Sequence, residues 1–167
     1  KRAIFKPVIK RPSDFESDIH KAAEEGKLTS VQYLIERLVN ARVEAKINNG
    51  KTLLHDATGN GHIEIVKYLF EQYHPNIEAK DNNEKTPLHD ATSNGHFDIV
   101  KYLIEQCHAN VEARCNAGRT PLHDASFNGH FDIVKYLIEQ CHANVEAKDN
   151  DGSTQLHIAS KNGQIEV

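Results

Sequence analysis

Between Phe97 and Gln106 the apolar residues Ile99, Val100, Leu103 and Ile104 fall at helical spacing, with charged residues between them. A shorter helix is predicted just before it. Thr86 is a residue that caps a helix with its hydroxyl, and Pro87 suits a first helical position, where its missing N–H costs nothing. Leu88, Ala91 and Thr92 then recur at helical spacing, and Asn94-Gly95 ends the run, Gly95 being free to take a left-handed conformation. The stretch from Ala109 to Arg119 has the turn-rich composition of a loop. The pattern predicts two helices of about eight to eleven residues each, near the mean helix length. Neither buries its apolar face alone, so stacking against neighbours is required.

The neighbours are in the sequence. Thr52, Thr86, Thr120 and Thr154 are each 34 residues apart, and Gly61, Gly95, Gly129 and Gly163 keep the same period. Residues 86–119 and 120–153 differ at only six of 34 positions. This is a tandem array.

The recurring string is Thr-Pro-Leu-His-Asp-Ala at 86–91 and 120–125, with variants at 52–57 and 154–159, and Gly-His follows nine positions after each of the first three threonines. The array resembles the ankyrin repeat, whose signature is T-P-L-H-x-A at a period near 33. The resemblance implies an all-α solenoid of stacked antiparallel helix pairs with β-turn fingers, about four to five repeats in all. Their bounds are about 15–47, 48–81, 82–115 and 116–149, with a partial repeat at 150–167, preceded by a basic extension at 1–14. It also implies that the motif histidines His55, His89, His123 and His157 hydrogen-bond the motif threonine and nearby backbone. Three departures stand out. An extra residue follows the second helix, and His74, His108 and His142 stand where the family usually has Gly, so a left-handed non-glycine is expected there. Glu84 replaces the Gly of a finger tip, which puts that tight turn in question. Glu44, Glu78, Glu112 and Glu146 occupy a site where many members carry Asn, which removes the acceptor for the family's asparagine hydroxylation.

The ends are irregular. Residues 18–36 resemble a degenerate first repeat, and the chain stops at Val167 inside what reads as a second helix, so a fragment of a longer protein is expected. With no repeat following, Ile158 and Ile165 are expected to be partly uncovered. Residues 1–12 hold five basic residues and no acid, against −9 for the remainder. Pro7 and Pro12 discourage a helix there. The segment is compatible with a docking peptide, a nuclear-import patch, a membrane-surface contact or a flexible leader; its charge predicts packing against acidic surface, near Asp56, Asp90 and Asp124. A net charge of −4 argues against a nucleic-acid binder, and apolar runs of three residues exclude a membrane-spanning helix. Three cysteines make no disulfide framework and point to reduced thiols in an intracellular, cytoplasmic protein.

The regular histidines invite a metal reading, but neighbours in a helical stack sit roughly 8–10 Å apart, far beyond a metal–nitrogen bond. Cys107, Cys115 and Cys141 lack zinc-ligand spacing; Cys115, in a finger, is expected to be exposed and the most reactive thiol. Asp56, Asp90 and Asp124 form a charged ladder that either recruits a basic ligand or rests on the helix dipole. No phosphate loop, nucleophile elbow or carboxylate pair occurs, so no catalytic residue, cofactor or metal is expected.

The leading expectation is a monomeric, non-catalytic module that binds another protein. The six differences between the two most similar repeats fall at the end of the first helix or in the finger, which the family uses, as its concave face, for partners. This predicts a partner-binding face of Asn48, Lys51, Asn60, Asn82, Lys85, Asn94, Asn116, Arg119, Phe127 and Asn128, with Phe127 as an anchor. The alternatives are a substrate-recruiting or regulatory segment of a larger enzyme, channel subunit or secreted effector, and a purely structural spacer.

Overall fold

The computed structural model describes residues 12–37 and 43–163. Residues 1–11 of the basic extension 1–14, with its expected packing, and Ile165 lie outside the described residues, and residues 12–14 belong to the first helix. Among those described there are helices and no strands: α1 (Pro12–Glu24), α2 (Leu28–Arg37), α3 (Leu53–Gly59), α4 (Ile63–Tyr73), α5 (Pro87–Ser93), α6 (Phe97–Glu105), α7 (Pro121–Asn128), α8 (Phe131–Glu139) and α9 (Gln155–Lys161). Pro12 opens α1, where its fixed φ is favourable, rather than excluding a helix.

The helices form two rows. The first helix of each pair packs on the next pair's first helix, α1 on α3, α5, α7 and α9 in turn, and α2, α4, α6 and α8 stack likewise. One continuous core runs between the rows, with Leu54, Leu69, Leu88, Leu103, Leu122 and Leu137 fully buried. This is an all-α repeat solenoid.

The first helices α3 and α5, at seven residues, are just shorter than the pattern predicts, and α7 at eight sits at its lower bound. They are clipped at both ends. The threonine before each is extended, as Thr86 is at φ −93° and ψ 165°. At the other end an asparagine amide donates to the carbonyl four residues back, Asn94 to Asp90 at 2.9 Å, before Gly95 turns left-handed at φ 78°. The second helix α4 ends at left-handed His74, and His108 and His142 turn left-handed three residues beyond the ends of α6 and α8 (φ 47–57° for the three), as the missing glycines require. Glu84 keeps its finger turn by taking φ 56° itself.

The last pair differs from expectation. Ile158 is buried because its position faces back onto the preceding repeat; the uncovered residue is Leu156, 58% exposed, whose counterparts Leu54, Leu88 and Leu122 are covered by a following repeat.

Candidate functional site

Successive repeats are locked by ladders whose rungs recur one period apart. The imidazole of His55 donates from Nε2 to the Lys85 carbonyl in the next finger (3.1 Å), which leaves Nδ1 as acceptor for the Thr52 hydroxyl (2.9 Å) and N–H (3.2 Å). His89 reaches the Arg119 carbonyl and His123 the Ser153 carbonyl in the same way. Burial pulls all three imidazoles below the ordinary histidine pKa, so they are neutral hydrogen-bonding struts. The Gly-His histidines point the opposite way: His96 donates to the Gly59 carbonyl (3.1 Å) and His130 to that of Ser93 (3.0 Å). Their rings lie against the glycine one repeat back, where a Cβ on Gly61 or Gly95 would come within 2.9 Å of the imidazole. Glu44, Glu78 and Glu112 each accept the backbone N–H of the asparagine that begins the next finger, Asn76, Asn110 and Asn144, at 2.6–2.8 Å.

The aspartate ladder is ion-paired internally. Asp90 pairs with Lys51 (2.9 Å) and Asp124 with Lys85 (3.0 Å), each reaching forward from the preceding finger. Asp56 has no such lysine, since Ser17 stands at that position, and pairs with His20 at 2.5 Å instead. Burial of Lys51 acts to lower its pKa, but the Asp90 carboxylate, helped by Asp56 and Asp81, outweighs this and the net shift is upward. These carboxylates are buried and paired among the described residues.

The thiols offer little nucleophilicity. Cys115 is buried rather than exposed, because it occupies the inward finger position that Asp81 and Asp149 hold in the sister repeats. There each aspartate Oδ1 accepts two backbone N–H groups of its own finger, those of Asn83 and Lys85 for Asp81. Burial pushes the Cys107 thiol up to about 12 and also raises Cys141. Among the described residues no group of three or more His, Cys, Asp or Glu side chains is placed to hold a metal ion.

The ten residues of the predicted partner face lie along the fingers and the ends of the first helices. Asn48, Asn60, Asn82, Asn94, Asn116, Phe127 and Asn128 are exposed, and Lys51, Lys85 and Arg119 half-buried. Many also hold the array together, which the sequence did not reveal. Asn82 and Asn116 donate their amides to the carbonyls of Asn48 and Asn82 one finger back (3.0 and 3.2 Å). Asn60, Asn94 and Asn128 cap first helices. Lys51 and Lys85 are in the aspartate pairs. Phe127 projects with 40% exposure, and the Arg119 guanidinium stacks over its ring at 5.2 Å from the centroid. A groove at the N-terminal end, between α1 and the first finger, mixes Glu16, Glu24, Lys21 and Lys46 around His20 and Asn48.

Stacked helix pairs locked rung by rung, with finger tips and helix ends left in solvent, define a repeat solenoid of the kind that presents a surface. The family model for ankyrin repeats (3 copies) matches residues 19–115 and 107–167, and the chain belongs to the ankyrin repeat family. Ankyrin repeats are generally protein–protein interaction modules and typically non-catalytic. No individual curated protein matches the chain. Among the described residues no helix is long and apolar enough to cross a membrane.

Proposed function

We propose that this chain is a non-catalytic protein-binding module whose partner lies across the fingers and first helices, the face that is concave in the family. The observation that carries the reading is Phe127. It is a large aromatic held in solvent by a scaffold that buries nearly every other residue of α7, in an array with no described catalytic constellation. An aromatic stacked with arginine has the composition of an interface anchor. Along the same face Asn60, Asn82, Asn94, Asn116 and Asn128 offer polar contacts whose amides are fixed by the array, Asn48 adds an exposed amide at its far end, and Lys51 and Lys85 contribute their aliphatic stems.

The test is affinity capture with crosslinking and mass spectrometry, using the chain and its variants as bait. Phe127→Ala is expected to cost about 1–2 kcal/mol or more of binding with the fold intact. Lys101→Ala, on the second-helix row, is expected to be nearly silent; Glu105→Ala also loses the Tyr136 hydroxyl's hydrogen bond (3.0 Å), a small stability effect. Capture that survives Phe127→Ala and fails with the second-row changes would put the interface on the other side.

A further inference from the structure

Three positions change together along the ladder of fingers and first helices. In the first full step they are Lys51, Gly59 and Asp90; in the second, Lys85, Ser93 and Asp124; in the third, Arg119, Phe127 and Ile158, each set displaced by 34 residues from the last. The first two sets are polar locks. The Lys85 ammonium sits 3.0 Å from the Asp124 carboxylate, and Ser93 donates to that same oxygen at 3.0 Å. Gly59 faces the same place, since a Cβ built on it would lie 3.6 Å from the Cβ of Asp90. In the third set the carboxylate is gone.

Arg119 is therefore the one cation of the three with no carboxylate on the next first helix. Its closest acid is Asp149, whose Oδ2 lies 3.9 Å from Nε, too far for a hydrogen bond. The other oxygen of Asp149 already accepts the N–H groups of Asp151 and Ser153. Arg119 Nε is left buried without a hydrogen-bond partner, while the side chain as a whole is 32% exposed. The Phe127 ring covers the guanidinium carbon from one side. A stacked guanidinium has lost little freedom still to lose, and its fork matches a carboxylate bidentately.

We infer that Arg119 and Phe127 form a receptor for a partner's carboxylate: an Asp or Glu side chain supplies the charge that Asp90 and Asp124 supply inside the array, beside an apolar group seated on the Phe127 ring. The partner segment is an acidic peptide. This rests on the proposed binding face and narrows it to one step. Lys51 and Lys85 are spent on internal pairs and offer no such receptor.

The test uses a phage-displayed library of random peptides, panned on the intact chain, with a synthetic copy of the most enriched peptide titrated against variants by calorimetry. The expected sequences share an Asp or Glu next to a leucine or aromatic. Arg119→Ala should weaken the peptide by about tenfold or more, since a hydrogen-bonded charge is lost, and Lys101→Ala, on the second-helix row, should leave it within about twofold. Ile158→Asp restores the internal carboxylate and should compete for Arg119, weakening the same peptide. Arg119→Ala carries the test by itself if Ile158→Asp unfolds, as judged by helical circular dichroism. Peptides without a shared acid, or binding indifferent to Arg119→Ala, overturn the inference. If such peptides still fail on Phe127→Ala, the binding face stands and only the carboxylate receptor falls. If nothing on this face affects them, both fall. Recovery of no peptide also overturns the receptor.

Discussion

The repeat that contains α5 and the one that contains α9 carry almost the same motif, yet among the described residues only the first is covered on both sides. Leu88 and His89 meet a following finger and helix; Leu156 and His157, at the same places in the motif, do not. A residue of the array is core or surface according to whether a neighbour stands behind it, not according to its type. Burial in a solenoid is contributed between repeats, so identical sequence has different energetic weight at different rungs.

That comparison can be broken most directly at the leucines. Leu88→Ala should cost about 2–5 kcal/mol in urea unfolding, as truncation of a fully buried leucine does. Leu156→Ala, at an exposed site, should cost less than about 1 kcal/mol. Equal losses would mean that the last rung is closed in solution. The histidines give a smaller contrast. His89→Ala removes a buried strut between Thr86 and the Arg119 carbonyl and should cost about 2 kcal/mol, with His157→Ala about half that or less.

Acid should act on the closed rungs. His55, His89 and His123 have folded pKa values below the unfolded value, so the neutral fold is fully stable above about pH 6.5. As pH falls below that value the unfolded chain takes up protons that the fold resists, and stability declines towards the folded pKa. Thermal melts from pH 7.5 to pH 5 should show a falling midpoint, and a flat profile would contradict the neutral-strut assignment.

The smallest effects sharpen the contrast between fingers. Glu84→Gly should stabilise by about 1 kcal/mol, because a left-handed residue with a Cβ is replaced by one without that penalty. Cys115→Asp should add a similar amount by giving its finger the two N–H acceptors that Asp81 and Asp149 provide in theirs. Both are read from the urea midpoint, and no gain in either would show that those turns are satisfied by other means.

Much of the fold was legible because it is local and repeated. The helix pairs follow from apolar periodicity, the stops from Asn-Gly, and the left-handed histidines from where glycine is missing. The proposed binding face was legible only as a distribution of differences between copies, and what those residues do to one another was not. Nothing in the spacing says that Lys51 reaches Asp90, that Asn82 and Asn116 ladder the fingers, or that Cys115 turns inward.

By itself the sequence determined the period, the helix pairs and the order of stacking, since each short amphipathic helix has an apolar face that only an adjacent copy can cover. The tertiary structure decided which polar groups remain for a partner. Hydrogen bonds and ion pairs between repeats form across 30 to 39 residues of chain, and their geometry depends on how one rigid pair seats on the next. The seating spends Lys51, Lys85 and three aspartates inside the array, and puts Arg119 on Phe127 where the next carboxylate is absent.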